Sequence, residues 1–162
     1  MMIQIDLENK KDKGVYTLIM NLAKGINLKV GCLGSLKFKK GWYVYTGSAL
    51  GSGGLVGRVQ RHLKKDKKCF WHIDYFLESK YSSIKVVIYA KSNKKYECKI
   101  IKEITNLNAK PIKGFGASDC KEACKSHLYY MMNDLNDIVK KILDAYNNLG
   151  LNANFYFLDN KK

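Results

Sequence analysis

The sequence predicts a fold of the α/β class, more narrowly α+β, in which a small and mainly antiparallel mixed sheet is flanked by helices. The first observation is that β-forming residues dominate residues 14–20 (GVYTLIM), 42–46 (WYVYT) and 84–89 (IKVVIY). The second is that apolar residues recur at helical spacing in residues 55–65 and 96–107. The resulting order, β-β-α-β-α, is typical of helices packed against one sheet.

The segment between the first two strands also predicts β structure. Residues 26–33 alternate apolar and polar side chains as a half-buried strand does, and Leu36 and Phe38 continue that alternation after a turn. Residues 47–54 (GSALGSGG) predict a flexible glycine-rich loop, and residues 71–78 predict a short helix.

The C-terminal part predicts a loop, a long helix and a short strand. Residues 110–125 contain turn residues and the only proline, and they predict a loop. Residues 135–149 are strongly amphipathic, with Asn133 or Asp134 available as the N-cap and a glycine directly after the helix. Residues 154–158 predict a short edge strand.

Length and composition predict one compact unit of 162 residues. It divides into a domain of residues 1–130 and a C-terminal helical extension of residues 131–162 packed on that domain. No apolar run approaches the roughly 18 residues of a membrane-spanning helix, and the N-terminus lacks the apolar stretch of a secretory signal. The chain is therefore expected in the cytoplasm and not in a membrane, with its five cysteines mostly reduced. The oligomeric state stays open.

The formal net charge of +15, from 29 Lys and Arg against 14 Asp and Glu, predicts a polyanionic partner. Nucleic acid is the first candidate and an anionic membrane surface the second, and lysines that only solubilise the surface are the alternative. Only two of the basic residues are arginines, Arg58 and Arg61, and both lie in the helix of residues 55–65. Arginine offers a planar, bidentate and permanently charged fork, which suits contact with a phosphate.

Two patterns within the predicted helices indicate residues that could bind a phosphate, carry a proton or bind a metal. Arg58 and His62 are four residues apart on the predicted polar face, so a phosphate ligand and a proton carrier can act on one point. The preceding glycine-rich loop can form an anion nest, and a solvated basic face is the alternative. Glu97 projects on the apolar side of its helix, where a charge needs a partner or a metal. A helix-start glutamate favoured by the macrodipole is the alternative there.

Tyr16 and Tyr45 lie on predicted strands, where most tyrosines are core residues. Their surroundings nevertheless resemble a known family. Gly14-Val15-Tyr16, then Tyr45-Thr46-Gly47, then Arg58-Val-Gln-Arg61-His62 and a helix that bears Glu97 resemble, in that order, the GIY-YIG nuclease superfamily. Cys69-Phe-Trp-His-Ile-Asp-Tyr75 and Gly114-Phe-Gly-Ala-Ser-Asp-Cys120 further resemble an archaeal branch of that superfamily, sometimes fused to a glycosylase of the endonuclease III type.

The resemblance implies a metal-dependent endonuclease that hydrolyses phosphodiester bonds in DNA, in repair or recombination. Glu97 would bind one divalent cation, Mg²⁺ or Mn²⁺, that also contacts the scissile phosphate. Tyr16 or Tyr45 would deprotonate the attacking water. Arg58 would stabilise the charge of the phosphorane, and His62 would orient water or assist proton transfer. Two departures from the compact family pattern concern the substrate groove: an extra hairpin within residues 17–44, and a longer loop before the arginine helix.

Nucleic-acid contacts are expected from the basic residues in and after that helix, namely Arg61, Lys64, Lys65, Lys67 and Lys68. His72 is either a further phosphate contact or an ordinary helix-start histidine. Two alternatives to a DNA nuclease stay open. One is a non-catalytic nucleic-acid-binding module on the same scaffold, and the other is an RNA-directed nuclease.

A group of cysteines suggests a second metal site. Cys120, Cys124 and His127 lie close in sequence, and Cys98 would complete four candidate zinc ligands. Their spacing is irregular for zinc, and free cysteines are also commonly buried as small hydrophobes. The sequence leaves both interpretations open.

Overall fold

The computed structural model describes residues 9–118, 120–122 and 124–158. In chain order the elements are β1 (Gly14–Leu22), β2 (Ile26–Lys29), a 3-10 helix (Gly31–Leu33), β3 (Ser35–Phe38), β4 (Gly41–Ala49), α1 (Gly54–Leu63), α2 (His72–Glu78), β5 (Ser82–Lys91), α3 (Glu97–Thr105), β6 (Ala109–Pro111), β7 (Leu128–Met131), α4 (Leu135–Asn148) and β8 (Asn154–Phe157).

Six of the strands form one sheet in the order β6-β7-β4-β1-β5-β8, and the pairings between these neighbours are antiparallel. β2 and β3 form a separate two-stranded sheet. The predicted α+β fold with a mainly antiparallel sheet is therefore confirmed. The extra hairpin predicted between the two tyrosine strands is confirmed as well.

The central strand, β1, is covered on both faces by helices. Tyr16 and Leu18 contribute to a hydrophobic cluster that includes residues of α1 and α2. Val15 and Ile19 contribute to a second cluster that includes residues of α3 and α4. Because alternate side chains of a strand point to opposite faces, burial on both sides explains why β1 is a nearly continuous apolar run.

The C-terminal segment is part of this architecture. Asp134 caps α4, since its carboxylate accepts a hydrogen bond from the backbone N–H of Asp137 at 2.9 Å. The buried hydroxyl of Tyr146 on α4 lies 2.8 Å from the Thr17 hydroxyl on β1. β8 pairs with β5 at the edge of the six-stranded sheet, which confirms the predicted short edge strand.

Three sequence-based assignments are wrong in ways that the structure explains. The strand predicted over residues 26–33 ends at Lys29, because Gly31 has a φ of +45° and begins a 3-10 helix. The loop predicted from residue 47 begins as strand, because β4 keeps its pairing with β1 as far as Ala49 opposite Gly14. The loop predicted over residues 110–125 overlaps β6, which pairs with the unpredicted β7.

Within the described residues, no helix combines the length and the apolar character needed to cross a membrane. Residues 1–8, which bear on the expected lack of a secretory signal, lie outside the described residues. So do residues 159–162 of the predicted C-terminal extension, and Asp119 and Ala123.

Candidate active site

A cleft of about 190 Å³ opens at the end of the sheet where β1 begins and β4 ends. The β1–β4 register places Tyr16 opposite Gly47, so the two tyrosine motifs meet there. The lining comprises Tyr16, Tyr45, Gly47, Ser48, Arg58, Trp71, Lys95, Glu97, Gly116, Cys120 and His127. The structure thus brings together four of the five residues that the resemblance implies for catalysis.

The fifth residue, His62, is buried rather than on the exposed polar face predicted for α1. It is only 3% exposed, and its Nε2 lies 2.7 Å from the hydroxyl of Tyr16. Burial lowers the pKa of His62 to about 3, while the Asp74 carboxylate acts in the opposite direction. The imidazole is therefore neutral near pH 7, and its Nε2 can exchange a proton with Tyr16.

Both tyrosine hydroxyls in the cleft resist ionisation. Burial raises the pKa of Tyr16 well above its usual value of 10, and the neighbouring Tyr45 raises it further. Burial also raises the pKa of Tyr45, the Glu97 carboxylate raises it further, and the Arg58 guanidinium opposes that rise. A phenol can accept a proton from water only if its own proton moves away or if positive charge stabilises the phenolate. His62 is the neutral side chain within hydrogen-bonding distance of the Tyr16 hydroxyl, but its lowered pKa makes it a weak proton acceptor. Arg58 supplies the positive charge.

Two motif glycines make this arrangement sterically possible. A Cβ at Gly47 would lie 2.5 Å from the Tyr16 hydroxyl oxygen, so the glycine leaves room for that hydroxyl against β4. A Cβ at Gly14 would collide with the backbone carbonyl of Ala90, so the glycine allows β1 and β5 to pair at this end of the sheet. Each motif therefore requires its glycine for a close approach, not for turn geometry.

Both arginines lie over the ring of Trp71, with guanidinium carbons 4.3 Å (Arg58) and 4.1 Å (Arg61) from its centroid. Arg61 also donates to Asp74 through two bonds of 2.6 and 2.9 Å. Burial alone would raise the pKa of Asp74, but Arg61 and the backbone N–H groups of Phe70 and Trp71 hold it below its usual value. A phosphate would have to compete with this carboxylate for Arg61, whereas Arg58 lines the cleft.

The predicted phosphate-binding lysines fall into two groups. Lys64 and Lys68 are exposed. Lys65 is exposed as well, but its ammonium donates to the backbone carbonyl of Leu77 at 2.9 Å. Lys67 has a side chain only 6% exposed, and its ammonium donates to the carbonyl of Lys64 at 2.8 Å and lies 3.5 Å from the Glu78 carboxylate. Lys67 therefore ties the loop to α2, and a direct phosphate contact would require it to leave these partners.

His72, the first residue of α2, has a partner within the protein. Its Nδ1 accepts a hydrogen bond from the backbone N–H of Gly116 at 2.9 Å. This bond leaves Nδ1 without a proton, and it connects α2 to the segment that leads to β7. The alternative phosphate contact stays a prediction.

Cys98, Cys120, Cys124 and His127 come together from α3 and from the segment before β7. Their ligand atoms all lie within 4.8 Å of one another, and the sulfurs of Cys98 and Cys120 are 3.3 Å apart. Burial opposes ionisation of Cys120, but the backbone N–H of Cys124 and the His127 ring lower its pKa to about 6. Burial raises the pKa of both Cys98 and Cys124. The group can hold a metal ion.

Comparison with protein-family models matches residues 15–151 to the family described as Domain of unknown function DUF123. The chain belongs to this family. The DUF123 match contains the whole lining of the cleft and the four-ligand group. Comparisons with curated proteins and with solved structures give no match.

Three residues of the cleft in this DUF123 chain are not among the site residues that the sequence predicts. Trp71 carries a weak signal, as an aromatic residue that follows a basic loop and an arginine helix. Ser48 lies in the segment predicted as a flexible loop, and its Oγ is buried with no hydrogen-bond partner among the described residues. Lys95 carries no signal, because it is one of many lysines.

Proposed function

We propose that this protein is a metal-dependent endonuclease of the GIY-YIG type that hydrolyses phosphodiester bonds in DNA. The observation that carries the proposal is the cleft that Tyr16, Tyr45, Arg58 and Glu97 share. Phosphodiester hydrolysis uses a proton acceptor, a cation for the developing charge and a ligand for a divalent metal. The order of the motifs along the chain supports the same superfamily.

In this proposal the proton of the attacking water passes to Tyr16, and the proton of Tyr16 passes to His62. The 2.7 Å contact between the Tyr16 hydroxyl and Nε2 of His62 supports that path. The lowered pKa of His62 keeps the imidazole neutral near neutral pH but also makes it a weak base, so the transfer relies on the positive charge of Arg58, which lowers the pKa of Tyr16. Tyr45 is the less favoured base, because its hydroxyl makes no such contact with His62 among the described residues.

Arg58 stabilises the negative charge that develops on the phosphoryl oxygens. Its guanidinium lies over Trp71, which limits the orientations of a long and flexible side chain. Less side-chain entropy is then lost when a phosphate binds. Trp71 is therefore a positioning residue for Arg58.

Glu97 is the residue that would hold the divalent cation. A single carboxylate in an open cleft fits Mg²⁺, which keeps several waters and takes its other ligands from one or two carboxylates and from substrate phosphates. When bound, such a cation polarises the phosphate and lowers the pKa of a coordinated water. Cys120 and His127 also line the cleft, but thiolate and imidazole belong to a softer ligand set than Mg²⁺ selects.

The basic segment after α1 would contact the nucleic-acid backbone. Lys64 and Lys68 are exposed there, and the chain as a whole carries a net charge of +15. Phe70 is 79% exposed and lies beside Trp71, with ring centroids 5.8 Å apart. An exposed aromatic ring next to bound phosphates is suited to stacking on a base.

The direct test incubates purified protein with Mg²⁺ or Mn²⁺ and with single-stranded, duplex, flapped and branched DNA, and also with RNA. The wild type is expected to cut at least one DNA. Glu97→Gln and Arg58→Ala should each slow cleavage by a factor on the order of 10² or more. DNA affinity should change little in Arg58→Ala, because 28 of the 29 lysines and arginines remain.

The two tyrosines give the test its internal control. Tyr16→Phe should lose far more activity than Tyr45→Phe, because only Tyr16 contacts His62 through its hydroxyl among the described residues. If Glu97→Gln cuts DNA at the wild-type rate, the glutamate is structural. If the wild type binds DNA but cuts nothing with either metal, the protein is a non-catalytic binding module. Cleavage of RNA alone would change the substrate class.

A further inference from the structure

The cysteine group beside the cleft has the dimensions of a zinc site. With zinc–sulfur distances of 2.3 Å, neighbouring sulfurs of a tetrahedral site lie roughly 3.8 Å apart. The sulfurs of Cys98 and Cys120 are 3.3 Å apart, and each ligand atom of the group lies within 4.8 Å of every other. Small side-chain adjustments therefore suffice to place all four around one ion.

The chemistry of the ligands selects the metal. Three thiols and one imidazole are the ligands that structural zinc sites use, whereas Mg²⁺ requires oxygen ligands. His127 is only 5% exposed, and its Nε2 is buried with no hydrogen-bond partner in the part of the chain that the structure describes. A buried ring nitrogen without a partner is costly unless it binds something.

A disulfide is the competing use of these residues. A bond between Cys98 and Cys120 would satisfy two sulfurs, which are already 3.3 Å apart. It would leave Cys124 and the buried ring of His127 unexplained, whereas a single dication engages all four. Zinc is therefore the more complete explanation of the group.

The position of the group connects it to the cleft. Cys98 directly follows Glu97 at the start of α3, and His127 directly precedes β7. Cys120 and His127 line the cleft that Tyr16, Tyr45 and Glu97 share. The backbone carbonyl of His127 accepts a hydrogen bond from the N–H of Thr46, next to Tyr45. An ion bound by this group would link the start of α3 to the strand that carries Tyr45.

We propose that Cys98, Cys120, Cys124 and His127 bind one structural zinc ion, and that this ion fixes the position of Glu97 and of one wall of the cleft. Four protein ligands leave no open coordination position, so the ion has no direct part in the chemistry. The effect on Glu97 rests on the proposed nuclease function, whereas the zinc site itself does not.

The first measurement is the zinc content of untagged wild-type protein, which should be about one ion per chain. Cys124→Ser should lower the zinc content severalfold, and Cys69→Ser, which alters a cysteine outside the group, should leave it unchanged. After removal of zinc by a chelator, the melting temperature should fall by at least about 10 °C and recover when zinc is returned. Cobalt added to the stripped protein should give the intense visible absorption of a tetrahedral thiolate site.

Zinc below about 0.2 ions per chain, with a melting temperature that the chelator does not change, would overturn the site. A Cys98–Cys120 disulfide found by mass spectrometry in protein that binds no zinc would overturn it as well. These readouts do not involve DNA, so a zinc-loaded protein that cuts nothing refutes only the nuclease proposal. Cleavage that persists at the wild-type rate in a folded, zinc-free protein refutes the positioning of Glu97.

Discussion

At the scale of single residues, the place of the Tyr16 hydroxyl depends on the lack of a side chain at Gly47. The hydroxyl is buried between β4 and His62, 2.7 Å from Nε2 of the latter. A Cβ at position 47 would come within 2.5 Å of the hydroxyl oxygen and 2.8 Å of the ring carbon that bears it. Gly47 of the second motif therefore leaves the space that the hydroxyl of Tyr16, in the first motif, occupies across the β1–β4 pairing.

Under the proposed nuclease function, Gly47→Ala should slow cleavage by about 10-fold or more, because a shift of the Tyr16 hydroxyl by a fraction of an ångström would disturb proton transfer. The matched control is Gly51→Ala, since no described atom lies within 4 Å of a Cβ at that position. Single-turnover rates of the two variants and the wild type make the comparison, and thermal unfolding checks that both fold. A Gly47→Ala variant that cuts DNA as fast as wild type would show that the Tyr16 hydroxyl does not take part in the proposed reaction.

At this scale, sequence reasoning predicts which residues come together where the order of the motifs along the chain identifies them. The sequence of motifs leads to Tyr16, Tyr45, Arg58 and Glu97, and all four line one cleft. Sequence reasoning is wrong about the exposure of His62. Helical spacing places this residue beside Arg58, but it does not reveal what packs against α1. The burial of His62 follows from a contact with Tyr16, 46 residues earlier in the chain, which no local pattern reveals.

At the scale of elements, Asp74 fixes the connection between α1 and α2. Its carboxylate is fully buried, and it accepts two bonds from Arg61 on α1. It also accepts bonds from the backbone N–H groups of Phe70 at 2.9 Å and Trp71 at 2.8 Å. These bonds place Trp71 where both arginines stack on its ring.

Asp74→Asn should lower the free energy of unfolding by on the order of 3 kcal/mol, because the amide cannot accept all of these bonds and leaves Arg61 without its counter-charge. Glu78→Gln is the matched control, since its contact with Lys67 is longer, at 3.5 Å, and should be worth less than about 1 kcal/mol. Denaturant unfolding gives both values. Equal stability losses in the two variants would contradict the role given to Asp74.

The elements that sequence reasoning missed are those whose stability depends on partners distant in the chain. β6 and β7 are three and four residues long, and each is defined by pairing at the edge beside β4. The local sequence at Gly47 and Ser48 is typical of a loop. β4 nevertheless continues through both residues, because β1 supplies the hydrogen bonds. By contrast, α4 has its own N-cap and a complete apolar face in its local sequence. The predicted start of this helix is therefore correct, and its predicted end lies one residue from the observed end.

At the scale of the whole molecule, the buried His62 makes stability depend on pH. Its pKa is about 3 in the folded protein and near 6.5 in an unfolded chain, so the unfolded state binds more protons between those values. Stability is therefore greatest above about pH 6.5 and falls as the pH decreases. The depressed pKa of Asp74 acts in a lower window, because its contribution is lost only as the pH falls below its usual value of 3.8.

The free energy of unfolding should fall between pH 7 and pH 4, with a contribution from His62 on the order of 3 kcal/mol. His62→Gln retains a group that can bond to Tyr16 but cannot titrate, so its stability should change much less over the same range. Chemical denaturation at a series of pH values measures both. If His62→Gln shows the same slope as wild type, the pH dependence has another origin.

The proposed binding of nucleic acid should depend steeply on salt, because the chain has an excess of positive charge and each neutralised phosphate releases counterions. The structure distinguishes lysines that can reach a phosphate from Lys65 and Lys67, whose ammonium groups donate to backbone carbonyls within the protein. Lys64 and Lys68 are exposed, whereas the Lys67 side chain is 6% exposed and holds partners within the protein.

Replacing both Lys64 and Lys68 by Gln should reduce the slope of log affinity against log salt by about 2 on duplex DNA. Lys67→Gln should leave that slope unchanged and lower the melting temperature instead. Fluorescence anisotropy over a salt series makes the measurement, and a wild-type affinity that does not vary with salt would contradict an electrostatic interface on this face.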